Sequence, residues 1–385
     1  MIHLFQRLVN EVLMKKVIKI IGIFLISAVV LTAVIVMVIL NKTVFIKHPE
    51  LNGEPKIGKW YRVTPEGTKS SDGSEWHGLI RIGTENKVVV YFFGGGASIN
   101  GYTSERGTEF FATTTIAQDF VASGGIGNNA EDNPFKDWTF LVLPYASGDF
   151  HSGTGEYHYT DGGKEKIVYH NGYNNYSAFM DTVKPYVGQP DTLLVTGFSA
   201  GGFATSLLAD DVIDRFPSAE NTTVCVDSSL LLYDGWHETA TDLWQSPVEI
   251  SNRLTGNNLV LDSLTALYNK RGGSIKILFD CSYRDDTLQQ YQAFIRTGTM
   301  AKSKENGDLF QNDLNEMVRS LQENIPGIGI YIWNYNEDPK THNTQHTIIS
   351  GNVFDKLEDG VSVADWIYAA VNGDVQSHGL ELLGK

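Results

Sequence analysis

Cysteine is almost missing from this sequence, with Cys225 and Cys281 the only two in 385 residues. Two thiols permit at most one intramolecular disulfide, which excludes a disulfide-stapled scaffold and a four-cysteine zinc site. Positive charge is also in short supply. The formal net charge is −15, and no Lys/Arg cluster in the body of the chain makes a stripe able to track phosphates, so nucleic acid is not an expected partner. No internal repeat is present, and no low-complexity stretch lies beyond residue 40, which sets aside repeat architectures. Hydrophobic residues, by contrast, make up 42% of the chain and aromatic ones 11%, enough apolar side chain for a large buried core.

The N-terminal part is a different material. Residues 20–40 carry no charge, and at ~1.5 Å per residue a helix of that length crosses the ~30 Å hydrocarbon layer. Arg7, Lys15, Lys16 and Lys19 precede it, a basic flank that holds the N-terminus in the cytoplasm and sends the rest across. A cleaved signal peptide is the competing expectation. The apolar run is longer than a usual signal core, and no small-x-small cleavage site follows it, so an uncleaved anchor is preferred. Met14 offers a second possible start. The expected organisation is therefore a basic cytoplasmic stretch over 1–19, a transmembrane anchor over 20–40, a Pro/Gly-containing linker over 41–59, and one domain over 60–385.

Along that domain, short apolar runs alternate with helical patterns. Residues 88–93, 139–143, 193–196, 224–226, 275–279 and 328–333 predict buried strands. Tyr176, Phe179, Met180 and Val183 fall at i, i+3, i+4 and i+7, one face of a helix. Residues 286–296, 309–321 and 363–371 are further helix candidates. Strands alternating with helices predict an α/β fold, a mostly parallel sheet covered on both faces.

Gly197-Phe198-Ser199-Ala200-Gly201 is a GxSxG element. It follows the apolar strand pattern TLLVT and opens a helical pattern through Phe203, Leu207 and Leu208, the strand-turn-helix setting of a nucleophile elbow. A serine hydroxyl needs a base to take its proton and a carboxylate to orient that base, in the chain order Ser, acid, His for this fold. His346 and His342 share the polar loop NEDPKTHNTQHT beyond the last predicted strand. His237 comes too early, and His378 falls in an expected C-terminal tail. For the acid, Asp280, Asp285 and Asp286 all follow the strand pattern at 275–279, and spacing does not choose among them. Gly94-Gly95-Gly96-Ala97 comes directly after VVVYFF. It lacks the GxGxxG spacing and a P-loop lysine, so a nucleotide cofactor is not implied. Its backbone N–H groups, with that of Ala200, suit an oxyanion hole. A Ser, His and Asp complement of this kind requires neither cofactor nor metal.

These blocks together resemble the pectin acetylesterases and related Notum-like carboxylesterases over roughly residues 60–371. FFGGGAS is similar to the family's GGGWC block, residues 133–153 resemble its NP…W…VPYCTGD-H-G block, and VTGFSAGG resembles its VTGCSAGG elbow. The resemblance implies an α/β-hydrolase fold with Ser199 as nucleophile and His346, in QHTII, as base. Its D-x-x-Q element falls on Asp286-Thr287-Leu288-Gln289, which makes Asp286 the acid. Its oxyanion donors fall on Gly95, Gly96, Ala97 and Ala200. Asp149 and His151 match the GD-x-H block, to which no catalytic role is carried over. The family's cysteines are Ser98, Ala146 and Phe198 here, and its tryptophan is Ala97.

The expected activity is hydrolysis of short acyl (acetyl) esters on a cell-surface polysaccharide. The stretch 145–176, rich in Tyr, Asn, Gly and Asp, suits a sugar. Two alternatives remain: a lipase-like or Notum-like esterase for longer chains, suggested by the apolar run Leu230, Leu231, Leu232 and Tyr233, or an inactive hydrolase fold that binds.

Overall fold

The computed structural model describes residues 47–384 apart from 117, 352 and 359. The expected anchor at 20–40 lies outside the described residues, and no described helix is long and apolar enough to cross a membrane.

Six runs of β-branched and aromatic residues build the centre. They are β3 (Lys87–Phe92), β4 (Thr139–Leu143), β7 (Thr192–Phe198), β8 (Asn221–Asp227), β9 (Ile275–Ser282) and β10 (Gly329–Trp333). All six are parallel, and β1 (Trp60–Val63) and β2 (Gly78–Arg81) extend the sheet antiparallel, in the order β1-β2-β4-β3-β7-β8-β9-β10. Strands buried on both faces must be apolar almost continuously, and Val88 to Phe92 of β3 are all buried, as are Leu193 to Val195 of β7. The helices are α1 (Gly101–Arg106), α2 (Gly172–Val187), α3 (Ala200–Arg215), α4 (Leu259–Arg271), α5 (Leu288–Thr297), α6 (Lys304–Asn324) and α7 (Val363–Val371). The predicted strands and helices are found within a few residues of their expected limits. The fold is a mixed α/β fold of the α/β-hydrolase type.

The antiparallel edge was not legible as strand because its four-residue elements carry buried arginines. Arg62 on β1 donates to both oxygens of buried Asp119, at 2.7 and 2.8 Å. Arg81 on β2 is fully buried, donates to the Gly127 and Lys136 carbonyls, and stacks over the Trp60 and Phe140 rings. Residues 48–59, expected as linker, are tied to this edge: Leu51 N–H donates to Arg62 O, Arg62 N–H to Pro49 O, and Gly58 N–H to Ile82 O, each at 2.8 Å. A separate hairpin, β5 (Gly155–Asp161) and β6 (Lys164–His170), turns through Gly162 and Gly163, both with positive φ, as a tight two-residue hairpin turn requires.

Cys225 and Cys281, on neighbouring strands β8 and β9, are buried and free. Ser98, at one of the positions where the resembled family has cysteine, is buried and hydrogen-bonded to Ser104 Oγ at 2.6 Å.

Candidate active site

Functional side chains in open α/β sheets gather where parallel strands end and loops begin, and here the ends of β3, β7, β9 and β10 converge. Ser199 occupies the turn between β7 and α3 with φ 55° and ψ −126°. A non-glycine residue there is strained, by on the order of 1–3 kcal/mol. The turn is tight enough that a Cβ on Gly201 would stand 2.0 Å from the Phe92 carbonyl. Neighbouring strands hold the strained residue: Ser199 N–H donates to Asp227 O at 3.0 Å, and Ser229 Oγ donates to Ser199 O at 2.8 Å.

His346 hangs on the loop after β10, and its Nδ1 lies 2.7 Å from Asp285 Oδ2. An ionised carboxylate only accepts, so the ring proton sits on Nδ1 and Nε2 presents a bare lone pair. Among the described residues, that buried Nε2 has no hydrogen-bond partner. Burial opposes charge on the ring, but the Asp285 carboxylate and its hydrogen bond, reinforced by Asp227 and Asp286, outweigh it and raise the imidazole pKa.

Asp286, expected as the acid, is not brought to His346. It pairs with Lys302 at the surface, while Asp285, fully buried, faces the ring. Adjacent side chains leaving a strand end diverge, so of the two only Asp285 meets the imidazole. Asp285 Oδ1 is fixed in turn by the N–H groups of Thr287 and Leu288, at 3.0 and 2.8 Å, at the start of α5. Asp280 lies deeper, beside Asp227 in the β8–β9 register. Burial and the neighbouring carboxylate push Asp280 well above the carboxylate range, and burial raises Asp227 as well. His342 is exposed and paired with Glu337 at 2.6 Å. His378, expected in a tail, lies along β10, with its N–H on Ile330 O at 2.8 Å.

Two features escaped the sequence reading. Asp227 Oδ2 accepts the N–H groups of Ile348 and Ile349, at 3.0 and 2.9 Å, and so clamps the loop that carries His346. A carboxylate closing an otherwise buried strand was the available signal. The other is Tyr291 on α5, which donates to Phe110 O at 2.5 Å and closes one side of the cavity.

Ser199 and His346 line one cavity of about 280 Å³, together with Gly94, Gly95, Gly96, Ala97 and Ala200. Phe150, Phe198, Phe203, Leu231 and Leu288 make the rest of the wall mainly apolar. Of the expected oxyanion donors, Ala97 is excluded because its N–H is spent on Phe110 O at 3.1 Å. Among the described residues, the N–H groups of Gly95 and Gly96 have no protein acceptor. That of Ala200, first in α3, has none by helix geometry. Gly96 has φ +82°, and a Cβ there would stand 2.0 Å from Phe110 O, so only glycine fits.

Residues 67–249 match the family model described as pectinacetylesterase. Over that stretch the chain resembles the pectinacetylesterase family. The match supports a carboxylic-ester hydrolase. The matched pectinacetylesterase segment contains the glycine loop, the GD-x-H block and the Ser199 elbow, and ends before Asp285 and His346. Solved structures of the Wnt deacylase Notum from Drosophila share the fold. One crystal form gives a TM-score of 0.60 at 15% identity, covering 83% of this chain and 95% of that one. A second form gives 0.58 at 14% identity, covering 83% and 98%.

Proposed function

We propose that the chain is a serine carboxylesterase that uses Ser199 as nucleophile, His346 as general base and Asp285 as the orienting acid. The observation that carries this reading is the His346 ring, pinned through Nδ1 by buried Asp285 while its free Nε2 shares a cavity with a serine on a strained elbow. Nε2 takes the Ser199 proton as Oγ attacks the ester carbonyl, and the developing imidazolium is stabilised by Asp285. The carbonyl oxygen becomes negative against the N–H groups of the glycine loop and Ala200. The imidazolium then protonates the departing alcohol, leaving an acyl-serine, and water activated by the same Nε2 releases the acid.

The cavity wall supports an acyl group longer than acetyl. The expectation of a short chain rested on residues 145–176, and of these only Phe150 reaches the cavity, where it joins the apolar side chains of Phe198, Phe203, Leu231 and Leu288. The family description supports the second reading, acetyl esters of a polysaccharide. We place the catalytic body outside the cytoplasm, tethered by residues 20–40, on the strength of the uncharged run and its basic flank.

The test is turnover of p-nitrophenyl esters by the full-length protein in detergent. Ser199→Ala is expected to lower kcat by ~10⁴-fold or more with the thermal unfolding midpoint maintained. A variant retaining most of the activity would refute the mechanism.

A further inference from the structure

His151 belongs to the GD-x-H block, and the proposed mechanism gives it no task. It is buried behind the cavity, and its Nε2 lies 3.0 Å from the carbonyl oxygen of Phe93. A carbonyl accepts, so Nε2 carries the proton. Burial pushes this imidazole down to about 4, against the Phe93 carbonyl and Asp149, which favour its charge, so the ring is neutral under working conditions.

Phe93 is the residue before Gly94. In a planar trans peptide the C=O of one residue and the N–H of the next point in opposite directions. Drawing the Phe93 carbonyl toward His151 in the core therefore turns the Gly94 N–H the other way, toward the cavity that Gly94 lines. Ser199 is close by, since a Cβ on Gly94 would meet Phe198 O at 2.6 Å and Ser199 Cβ at 2.7 Å.

The chain is strained to aim this imidazole. Phe150 and His151 both have positive φ, 49° and 57°, a conformation that non-glycine residues adopt at a cost and that tends to mark functional loops. Buried Asp149 over-determines the turn: its carboxylate accepts Ser147 Oγ at 2.5 Å, Gly153 N–H at 3.1 Å and Gly172 N–H at 2.8 Å. Phe150 N–H donates to Tyr145 Oη at 3.0 Å, and the Tyr145 ring packs on the His151 ring with centroids 4.8 Å apart.

We infer that His151 is a positioning residue of the oxyanion site, fixing the Phe93 carbonyl so that the N–H groups of the glycine loop face the oxygen that becomes negative. The inference rests on the serine-esterase reading above, and its test separates the two. The measurement compares a p-nitrophenyl ester with its thiono analogue, whose larger sulfur is a poor fit for N–H donors set for oxygen. Full-length wild-type protein is expected to favour the oxygen ester strongly. A preference no greater than in alkaline hydrolysis of the same pair would overturn the oxyanion reading and this inference with it.

Given that preference, His151→Ala is expected to lower kcat by ~100-fold or more, to leave KM within about two-fold, and to shrink the oxygen preference. His151→Gln, whose amide N–H can reach the same carbonyl, should keep kcat within about ten-fold of wild type. A His151→Ala protein with wild-type kcat and an undiminished oxygen preference would remove His151 from this role and leave the oxyanion reading in place. If thermal melts show that the alanine variant is unfolded, His151→Asn, whose shorter amide falls short of Phe93 O, takes its place under the same two outcomes.

Discussion

Replacing Asp285 by asparagine exchanges one oxygen for an amide nitrogen, and the surroundings decide which one. Asp285 Oδ1 accepts two backbone N–H groups, from Thr287 and Leu288, so the amide introduced by Asp285→Asn must keep its oxygen there. Its NH₂ group then faces His346 Nδ1. That nitrogen is forced to accept, the ring proton moves to Nε2, and the lone pair that should receive the Ser199 proton is lost. The expected loss of kcat is ~10⁴-fold, the scale of a wrong-tautomer triad, or on the order of 5 kcal/mol in barrier. The pH profile adds a second reading of the same geometry. The base works only when neutral, so kcat/KM falls as pH drops through the imidazole pKa, which Asp285 raises despite burial. The wild-type acid limb should therefore lie above the ordinary ~6.5, and in Asp285→Asn the residual activity should persist to lower pH. Asp286→Asn, which removes only a surface ion pair with Lys302, should stay near wild type. Steady-state kinetics on the three proteins, across the pH range that spans the acid limb, decides between the two carboxylates. An Asp285→Asn enzyme within about ten-fold of wild type, beside a crippled Asp286→Asn, would return the acid to Asp286.

Across p-nitrophenyl acetate, butyrate, octanoate and palmitate, kcat/KM should rise by about four-fold per added CH₂ until the cavity is full, since each buried CH₂ is worth ~0.8 kcal/mol. Leu231→Trp should move the optimum to shorter chains, and a maximum at acetate in the wild type would restore the short-acyl reading. Asp227→Ala leaves the Ile348 and Ile349 N–H groups unpaired, and urea unfolding should register a loss of ~2–3 kcal/mol; an unchanged midpoint would show that the clamp is idle. The full-length protein should stay with membranes through a carbonate wash, with the body open to protease on intact cells. A shortened soluble form in the medium would favour a cleaved signal.

The central strands were legible because burial on both faces demands unbroken apolar runs, as in VVVYFF and TLLVT. The edge strands were not, because Arg62 and Arg81 are buried there through Asp119, backbone carbonyls and aromatic rings, partners that lie far along the chain. The Ser199 elbow and the His346 loop were likewise visible, since glycines beside a serine and a histidine in a polar loop are local signals. Which aspartate meets His346 was not, because Asp285 and Asp286 differ only in which way each side chain leaves the strand end. The spent N–H of Ala97 depends on Phe110, which only the folded loop brings opposite it. The Tyr-rich stretch suggested a sugar surface, and half of it, Gly155 to His170, is a hairpin that does not line the cavity.

Neither cysteine is cross-linked. Burial pushes both thiols well above their usual range, so the reactive thiolate is suppressed. Where cysteines would sit in the resembled family, Ser98 is held by Ser104 and Phe198 packs against Phe93. The catalytic body thus has no step in its folding that waits for an oxidant. It can reach the same structure in a reducing cytoplasm or an oxidising exterior, and dithiothreitol has no covalent bond in it to break.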